Sequence, residues 1–200
     1  MTLLERESRY WVAALAGRRD NELFRKGMAV LWNWLEGALF VRLFTDGEVR
    51  YANCFWKLAH VWLGGTGFSQ TYTRRKVLRQ GIEVASKVKR SQGRRQVRRC
   101  KPEHPYTALS DKLAVHANHC EALNASIRRR CSAYRRRQNH YAKIQEGLNR
   151  AITALRLIHN WVRPHSSLNK GTTPAMAIGF IDRPITLAEI LACRGFHDLH

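Results

Sequence analysis

The pattern of apolar and polar residues divides the chain into short strands and amphipathic helices. Aromatic and β-branched residues crowd Ser8–Leu15 and Ala38–Phe44, which predicts two strands. Between them, a helix is predicted from Asn21 to about Glu36, with Asp20 as its N-cap. Its apolar stripe consists of Phe24, Met28, Leu31 and Leu35. This order predicts a strand–helix–strand unit whose two strands pair in parallel.

The second strand ends in a polar turn that carries a carboxylate. Thr45-Asp46-Gly47 follows the apolar run directly, so Asp46 is expected at the carboxyl end of a buried strand. In open α/β sheets, ligands bind outside these strand ends. The alternative is an Asp-Gly turn between two strands. A second amphipathic helix, predicted from about Asn53 to Leu63, makes that alternative weaker.

The remaining apolar pattern predicts a mostly helical second half. The predicted elements are strands at Gly81–Lys89 and Lys112–Val115, helices from Glu121 to about Tyr141 and from about Gln145 to Trp161, a short helix from Thr173-Pro174 through Met176, and a helix that Thr186 and Glu189 open with a capping box and that runs to about Cys193. Arg163-Pro164 is expected to end the helix that begins at about Gln145.

Composition and charge narrow the class of protein. The 200 residues, 44% of them hydrophobic and six of them Trp, suit one packed domain with a small appendage. A net charge of +20 indicates a polyanionic partner, with nucleic acid first and a membrane surface or ribosome as the alternative. Five cysteines without a CxxC pair and the lack of a signal-peptide pattern predict a cytoplasmic protein, and no apolar run of about 18 residues predicts a membrane span, so no membrane partner is expected for the DNA-binding protein. With DNA as its partner, the protein would be nucleoid-associated.

Two stretches carry most of the positive charge. A basic loop is predicted at about residues 71–111, with Arg94 and Arg95 as DNA-binding candidates, and a solvated linker is the alternative. The second stretch is the helix that begins near Glu121, where no acid occurs between Arg128 and Lys143. Its DNA-binding candidates are Arg128, Arg129, Arg130, Arg135, Arg136 and Arg137.

Two carboxylates are candidates for metal chemistry on phosphodiesters. Two Mg²⁺ ions about 3.5–4 Å apart can activate the nucleophile and neutralise the phosphoryl oxygens, and Mg²⁺ prefers oxygen ligands. We expect Asp46 and Glu121 to converge on Mg²⁺, or Mn²⁺ in its place, with His119 and Asn124 in support. A zinc site built from His116, His119, Cys120, Cys100 and His104 is the alternative, although its spacing matches no common ligand pattern.

Three stretches resemble the DDE transposases of bacterial insertion sequences, in particular the IS1-like type. Phe44-Thr45-Asp46-Gly47 with Tyr51 is similar to the strand that holds the family's second catalytic Asp. The run from Asn118 to Asn124, followed by Ile127-Arg128-Arg129-Arg130, resembles the helix with the catalytic Glu. The segments His159–Leu168 and Thr173–Met176 resemble the non-catalytic tail of many of these enzymes.

The resemblance implies an α/β chain with an incomplete RNase H-like fold, in which helices flank a mixed sheet. Residues 1–143 would form a partial catalytic core with the basic loop inserted, and residues 144–200 a helical C-terminal extension. The implied activity is metal-dependent cleavage at transposon ends and strand transfer into target DNA. Asp46 and Glu121 would supply two of the three metal ligands.

The chain departs from the family at its N-terminus. No counterpart of the first catalytic Asp or of the family's N-terminal DNA-binding region is visible, and Glu5 and Glu7 lie where a turn is expected. We therefore expect a truncated or partial copy that cannot cleave DNA alone, with a second copy or the full-length transposase as a further partner. The alternatives are a non-catalytic basic DNA-binding protein derived from a transposase and an RNA-associated structural protein.

Overall fold

The computed structural model describes residues 1–46, 48–63, 75–89, 95–98, 115–116, 118–134 and 144–193. The chain is mixed α/β and divides into two compact units. Unit 1 consists of Met1–Arg18 and His119–His200, and unit 2 of Arg19–Asn118.

Strands and helices alternate irregularly along the described residues. The strands are β1 (Thr2–Leu4), β2 (Trp11–Ala14), β3 (Val41–Thr45), β4 (His60–Leu63), β5 (Arg75–Leu78), β6 (Ile82–Lys89) and β7 (Arg95–Arg98). The helices are α1 (Asn21–Trp34), α2 (Val49–Ala59), α3 (Asn118–Arg130), α4 (Gln145–Leu157), α5 (Pro174–Ala177) and α6 (Leu187–Ala192).

Unit 1 is built on an antiparallel hairpin of β1 and β2. The pairing is irregular between Leu3 and Leu4, where the register shifts. In the turn, the carboxylate of Glu5 accepts hydrogen bonds from the backbone N–H of Glu7 at 2.9 Å and of Ser8 at 2.6 Å. The expected turn at Glu5 and Glu7 is therefore present, and it engages the Glu5 carboxylate in local bonds.

The core of unit 1 joins the hairpin to two helices. Trp11 of β2 packs with Leu123 and Ile127 of α3 and with Ile152 of α4. Trp11 is only 1% exposed. Because burial of a large apolar side chain contributes about 1.5–3 kcal/mol, this cluster ties the N-terminal hairpin to helices more than a hundred residues later in the chain.

A π-helical turn continues α4 over Ile158–Val162. The backbone N–H of Arg163 donates to the carbonyl of Ile158 at 3.0 Å, five residues back. In this turn Asn160, which is 1% exposed, accepts a hydrogen bond from the Trp11 N–H at 2.8 Å and donates to the Trp11 carbonyl at 3.0 Å. A single amide thus satisfies both backbone groups of a buried strand residue.

Unit 2 contains a mixed three-stranded sheet with the order β3-β6-β7. β3 pairs with β6 in parallel, and β6 pairs with β7 antiparallel. At the end of β3, Thr45 lies opposite Ser86. Both residues are buried, and among the described residues neither hydroxyl has a hydrogen-bond partner.

Two helices of unit 2 pack against each other through aromatic rings. Asp20 caps α1 by accepting from the Leu23 N–H at 3.0 Å, as predicted. Trp32 of α1 meets Phe55 of α2 edge to face, with the ring centroids 5.7 Å apart. The predicted stripe of α1 is largely confirmed, since the structure buries Phe24, Gly27, Met28 and Leu31.

One predicted strand pairing and one predicted helix boundary are wrong. β2 pairs with β1, and the parallel partner of β3 is β6, so the strand–helix–strand unit with a parallel first pair does not form. The helix predicted to run to Leu63 ends at Ala59, because His60–Leu63 pairs antiparallel with β5. Both errors concern the choice of strand partners.

The predicted basic loop contains strands over part of its length. β5, the predicted β6 and β7 all fall within residues 71–111, so this stretch is not a continuous loop.

Within the C-terminal region, the predicted caps of α5 and α6 are confirmed. α3 ends at Arg130 and a short 3₁₀ turn follows at Ser132–Tyr134, earlier than the predicted end near Tyr141. Of the strand predicted at Lys112–Val115, residues 112–114 lie outside the described residues. The predicted domain boundary at residue 143 also lies outside them and stays a prediction.

Candidate nucleic-acid interface

Asp46 lies directly after the last residue of β3. Its side chain is exposed, and Oδ1 accepts a hydrogen bond from the backbone N–H of Glu48 at 3.2 Å. This Asx-type bond turns the chain from the strand into α2, so a helix follows Asp46, as predicted. The carboxylate therefore occupies the carboxyl end of a strand with a parallel neighbour, where α/β sheets commonly bind ligands.

Glu48 is a second acid in this turn, and sequence reasoning gave it no role. Its carboxylate pairs with Arg19 at 2.5 Å and with Arg50 at 2.9 Å, and it caps α2 through the Arg50 N–H. The hydrogen bond from Arg50, with that from Arg19, outweighs burial and lowers the pKa of Glu48 to about 2. Glu48 is thus held ionised by two arginines and organises the turn after Asp46.

Glu121 occupies the first turn of α3 and is exposed. Leu123 and Ile127 are buried in the core of unit 1, and this fixes which face of the helix points inward. Asn124, predicted as a supporting residue, accepts a hydrogen bond from the hydroxyl of Thr2 at 3.1 Å and so joins α3 to β1. The last turn carries three exposed cations, which are Arg128, Arg129 and Arg130.

A cleft of about 540 Å³ lies within unit 1, and we call it the basic cleft. Four arginines from three parts of the chain line it, which are Arg9, Arg129, Arg130 and Arg163. Its described lining residues include no Asp or Glu. Among the described residues, no ion pair joins Arg130 or Arg163 to a carboxylate. The cleft therefore concentrates positive charge from α3, from the segment after the π-helical turn and from the β1–β2 connection.

Three histidines also line the basic cleft, namely His119, His159 and His165. His159 Nε2 lies 2.9 Å from the carbonyl of Arg9, which makes that nitrogen the protonated one. Burial lowers the pKa of His159, and His165, Arg130 and Arg163 lower it further, although the bond to Arg9 acts in the opposite direction. Burial and the charge of Arg9 also lower the pKa of His165. Both rings therefore favour the neutral state at pH 7.

The two carboxylates predicted to converge fall in different units. Asp46 lies in unit 2 and Glu121 in unit 1. Their convergence on a metal ion stays a prediction. Among the described residues, no group of three or more His, Cys, Asp or Glu side chains could hold a metal ion.

Several predicted site residues lie outside the described part of the chain. These are Arg94, Arg135, Arg136, Arg137, and the Cys100 and His104 of the zinc alternative. Arg95 begins β7, and only its backbone is described. Of the predicted residues, the structure brings His119, Arg129 and Arg130 together at the basic cleft.

Sequence reasoning missed the other half of this cleft. Arg9, Arg163 and His165 were given no binding role, although Arg163 and His165 belong to the tail segment that the resemblance singled out. A signal was available in that segment, because it combines Arg, His and Ser within five residues of a predicted helix end.

Comparison with known proteins gives no relative for this chain: no family model, no curated protein and no solved structure matches it significantly. In the described residues, no helix has both the length and the apolar composition required to span a membrane.

Proposed function

We propose that this chain is related to the DDE transposases, has an RNase H-like core, and binds DNA without cleaving it alone. The surface of α3 carries the proposal. Glu121 in its first turn and three arginines in its last turn are exposed, while Leu123 and Ile127 of the same helix are buried in the core. A carboxylate followed by a cationic surface on one rigid helix suits a group that acts on a nucleic-acid backbone.

Unit 2 supports the same proposal. Its sheet is mixed, and the helices α1 and α2, which come before and after β3 in the sequence, pack against each other. Asp46 is exposed at the carboxyl end of β3. Asp46 and Glu121 are hard oxygen donors of the kind that Mg²⁺ or Mn²⁺ prefers. Such an ion, when bound, would supply charge neutralisation at a phosphate and activation of a water or hydroxyl.

DNA binding is tested by measuring affinity for short duplexes as salt is raised. If the exposed arginines contact phosphates, affinity falls steeply between about 50 and 200 mM salt, with a slope in log units set by the number of contacts. Binding that is absent at low salt would contradict the proposal.

The role of the carboxylates is tested separately, with thermal stability in the presence of Mn²⁺ or Mg²⁺. We expect the ion to raise the melting temperature of the chain and expect Asp46→Asn and Glu121→Gln each to abolish the gain. Glu146→Gln is the matched control, because Glu146 is an exposed helical acid that pairs with Arg150. Purified protein that cuts or joins element ends with Mg²⁺, in a manner lost in Asp46→Ala, would refute the proposed inactivity.

A non-catalytic DNA-binding protein of transposase origin is the second candidate function. The observation that favours it is the basic cleft, which offers cations for binding without an acid among its described lining residues. This candidate shares the salt dependence and predicts no stabilisation by Mn²⁺, so the metal titration separates the two.

A further inference from the structure

We infer that the basic cleft of unit 1 is a phosphodiester-binding site that grips the backbone of a nucleic acid independently of base sequence. The inference rests on the proposed function in that its ligand is a nucleic acid. It adds a defined site that is distinct from Asp46 and Glu121, and it gives a role to the tail segment after α4.

The site is assembled from three elements that are far apart in sequence. Arg129 and Arg130 come from the last turn of α3, Arg163 from the residue after the π-helical turn, and Arg9 from the connection of β1 and β2. π-Helical turns are rare and occur frequently at functional sites. Here the turn places Asn160 against Trp11, and Arg163 emerges directly after it.

Arg9 has a backbone conformation that other side chains seldom adopt. Its φ is 63°, and among the described residues it is the only non-glycine residue with a positive φ. The strain is held by bonds on both sides, because Arg9 Nε donates to the hydroxyl of Ser167 at 3.1 Å and the Arg9 carbonyl meets His159 Nε2 at 2.9 Å. Strained residues fixed in this way are typical of ligand-binding positions.

The electrostatics of the basic cleft favour an anionic ligand. Burial lowers the pKa of Arg130, and the charges of Arg163 and Arg129 lower it further, so these guanidinium groups repel one another. A phosphate placed among them would replace this repulsion with charge-assisted hydrogen bonds. Arginine is well matched to phosphate because its planar fork can donate to two oxygens at once.

The size and the partly apolar lining of the cleft point to a backbone rather than a small ion. Ser166 and Ser167 line the cleft beside the arginines, and the Ser167 N–H donates to His165 Nδ1 at 3.2 Å, which leaves the proton of His165 on Nε2. A volume of about 540 Å³ exceeds the space that one phosphate fills, and apolar residues such as Leu4 and Pro164 also line the cleft.

The described lining of the basic cleft lacks the side chains that read adenine and cytosine, and its arginines are matched to phosphates. Its described residues include no Asn, Gln, Asp or Glu, which are the side chains that pair with adenine or cytosine edges. Contacts to phosphates position a protein on nucleic acid without specifying bases.

The test compares cleft variants with a matched arginine elsewhere in unit 1. Arg130→Gln and Arg163→Gln each remove one exposed cleft cation, and Arg150→Gln removes an exposed cation of α4 that pairs with Glu146 and does not line the cleft. Binding to duplex and to single-stranded oligonucleotides of two unrelated sequences is followed by fluorescence anisotropy across a salt series, with circular dichroism to verify folding.

Each cleft variant is expected to weaken binding about tenfold and to reduce the salt slope by about one unit, equally for both sequences. A loss seen with either strand form supports the inference, and the form affected identifies the ligand. Cleft variants that match Arg150→Gln in affinity and slope overturn the inference while leaving the proposed function intact. A wild-type chain that binds neither oligonucleotide overturns both.

Discussion

Replacing Asn160 by alanine removes both hydrogen bonds that hold β2 against the π-helical turn. The Trp11 N–H and carbonyl then lose their partners, and Trp11 is 1% exposed, so solvent cannot readily replace the amide. A buried polar group left without a partner costs about 1–3 kcal/mol, so two such groups give an expected loss of about 2–6 kcal/mol. This is a large fraction of the stability of a typical domain, which is about 5–15 kcal/mol.

The assay is unfolding in urea, monitored by hydrogen exchange of the peptide that contains Trp11. Exchange of this peptide reports on the stability of unit 1. Asn160→Ala should lower the midpoint at an unchanged slope. Asn169→Ala is the control, since Asn169 is exposed on a turn and its removal should change stability by less than about 0.5 kcal/mol. If Asn160→Ala is as stable as this control, the two bonds do not support β2 and the reasoning is refuted.

Asn160→Asp separates the two bonds. The introduced carboxylate can still accept from the Trp11 N–H, but when ionised it cannot donate to the Trp11 carbonyl. Its protonated form restores that donor, so the pKa of the new carboxyl group should be raised in the folded state. Stability should therefore be greatest below the unfolded pKa and decline as pH rises through the folded one. A variant whose stability is independent of pH over this range would count against the geometry.

Three further substitutions test unit 2 by thermal or urea unfolding. Gly81→Ala should destabilise the chain by more than about 3 kcal/mol, because φ is +85° and a Cβ would lie 2.2 Å from the Leu39 carbonyl oxygen. The control, Gly37→Ala, has φ +79° and open space around the Cβ, so it should lose only about 1–2 kcal/mol. Equal losses of stability in the two variants would exclude the clash. Ser86→Ala should stabilise by about 1 kcal/mol, since it removes a buried hydroxyl without a partner among the described residues, and a loss of stability would show that the hydroxyl is bonded. Glu48→Gln should cost about 1–2 kcal/mol at pH 7 after solvent screening, and the difference should disappear as pH falls from 4.5 to about 2; a constant difference would contradict the ion pairs.

Local features of the fold were predictable because their partners lie within a few residues. Asp20, Thr173 and Thr186 each cap a helix by accepting from a backbone N–H three residues later, and such bonds depend on little beyond the neighbouring sequence. The strand before Asp46 and the helix after it follow from an apolar run and an Asx turn. Element type and the starts of the helices with a side-chain cap in the sequence therefore follow from local chemistry, whereas α2 begins at Val49 and not near Asn53 as predicted.

Strand pairing was not predictable in the same way. β1 has only three residues, too few for a periodic signal, yet it is the partner of β2. The parallel partner of β3 is β6, some forty residues later, and the sequence between them gives no indication of that choice. The end of α2 was missed for a related reason, since His60–Leu63 is apolar enough for a helix and becomes a strand only by pairing with β5.

The candidate site was half predictable. The density of positive charge identified Arg129 and Arg130 on α3 as candidates. His119 was a candidate because it lies two residues before Glu121. Arg9 and Arg163 are isolated cations in sequence, and only the core around Trp11 brings their segments to α3. A cleft assembled by tertiary packing leaves no local pattern.

Unit 1 takes its two segments from opposite ends of the chain, with all of unit 2 between them. On the ribosome, the first eighteen residues emerge early but have no packing partner until α3, α4 and Asn160 have been made. A product that ends before α3 would consequently leave the Trp11 indole of the β1–β2 hairpin exposed to solvent, where chaperones and proteases can recognise it. Assembly of the basic cleft therefore requires translation to have reached Arg163 and His165, more than 150 positions after Arg9.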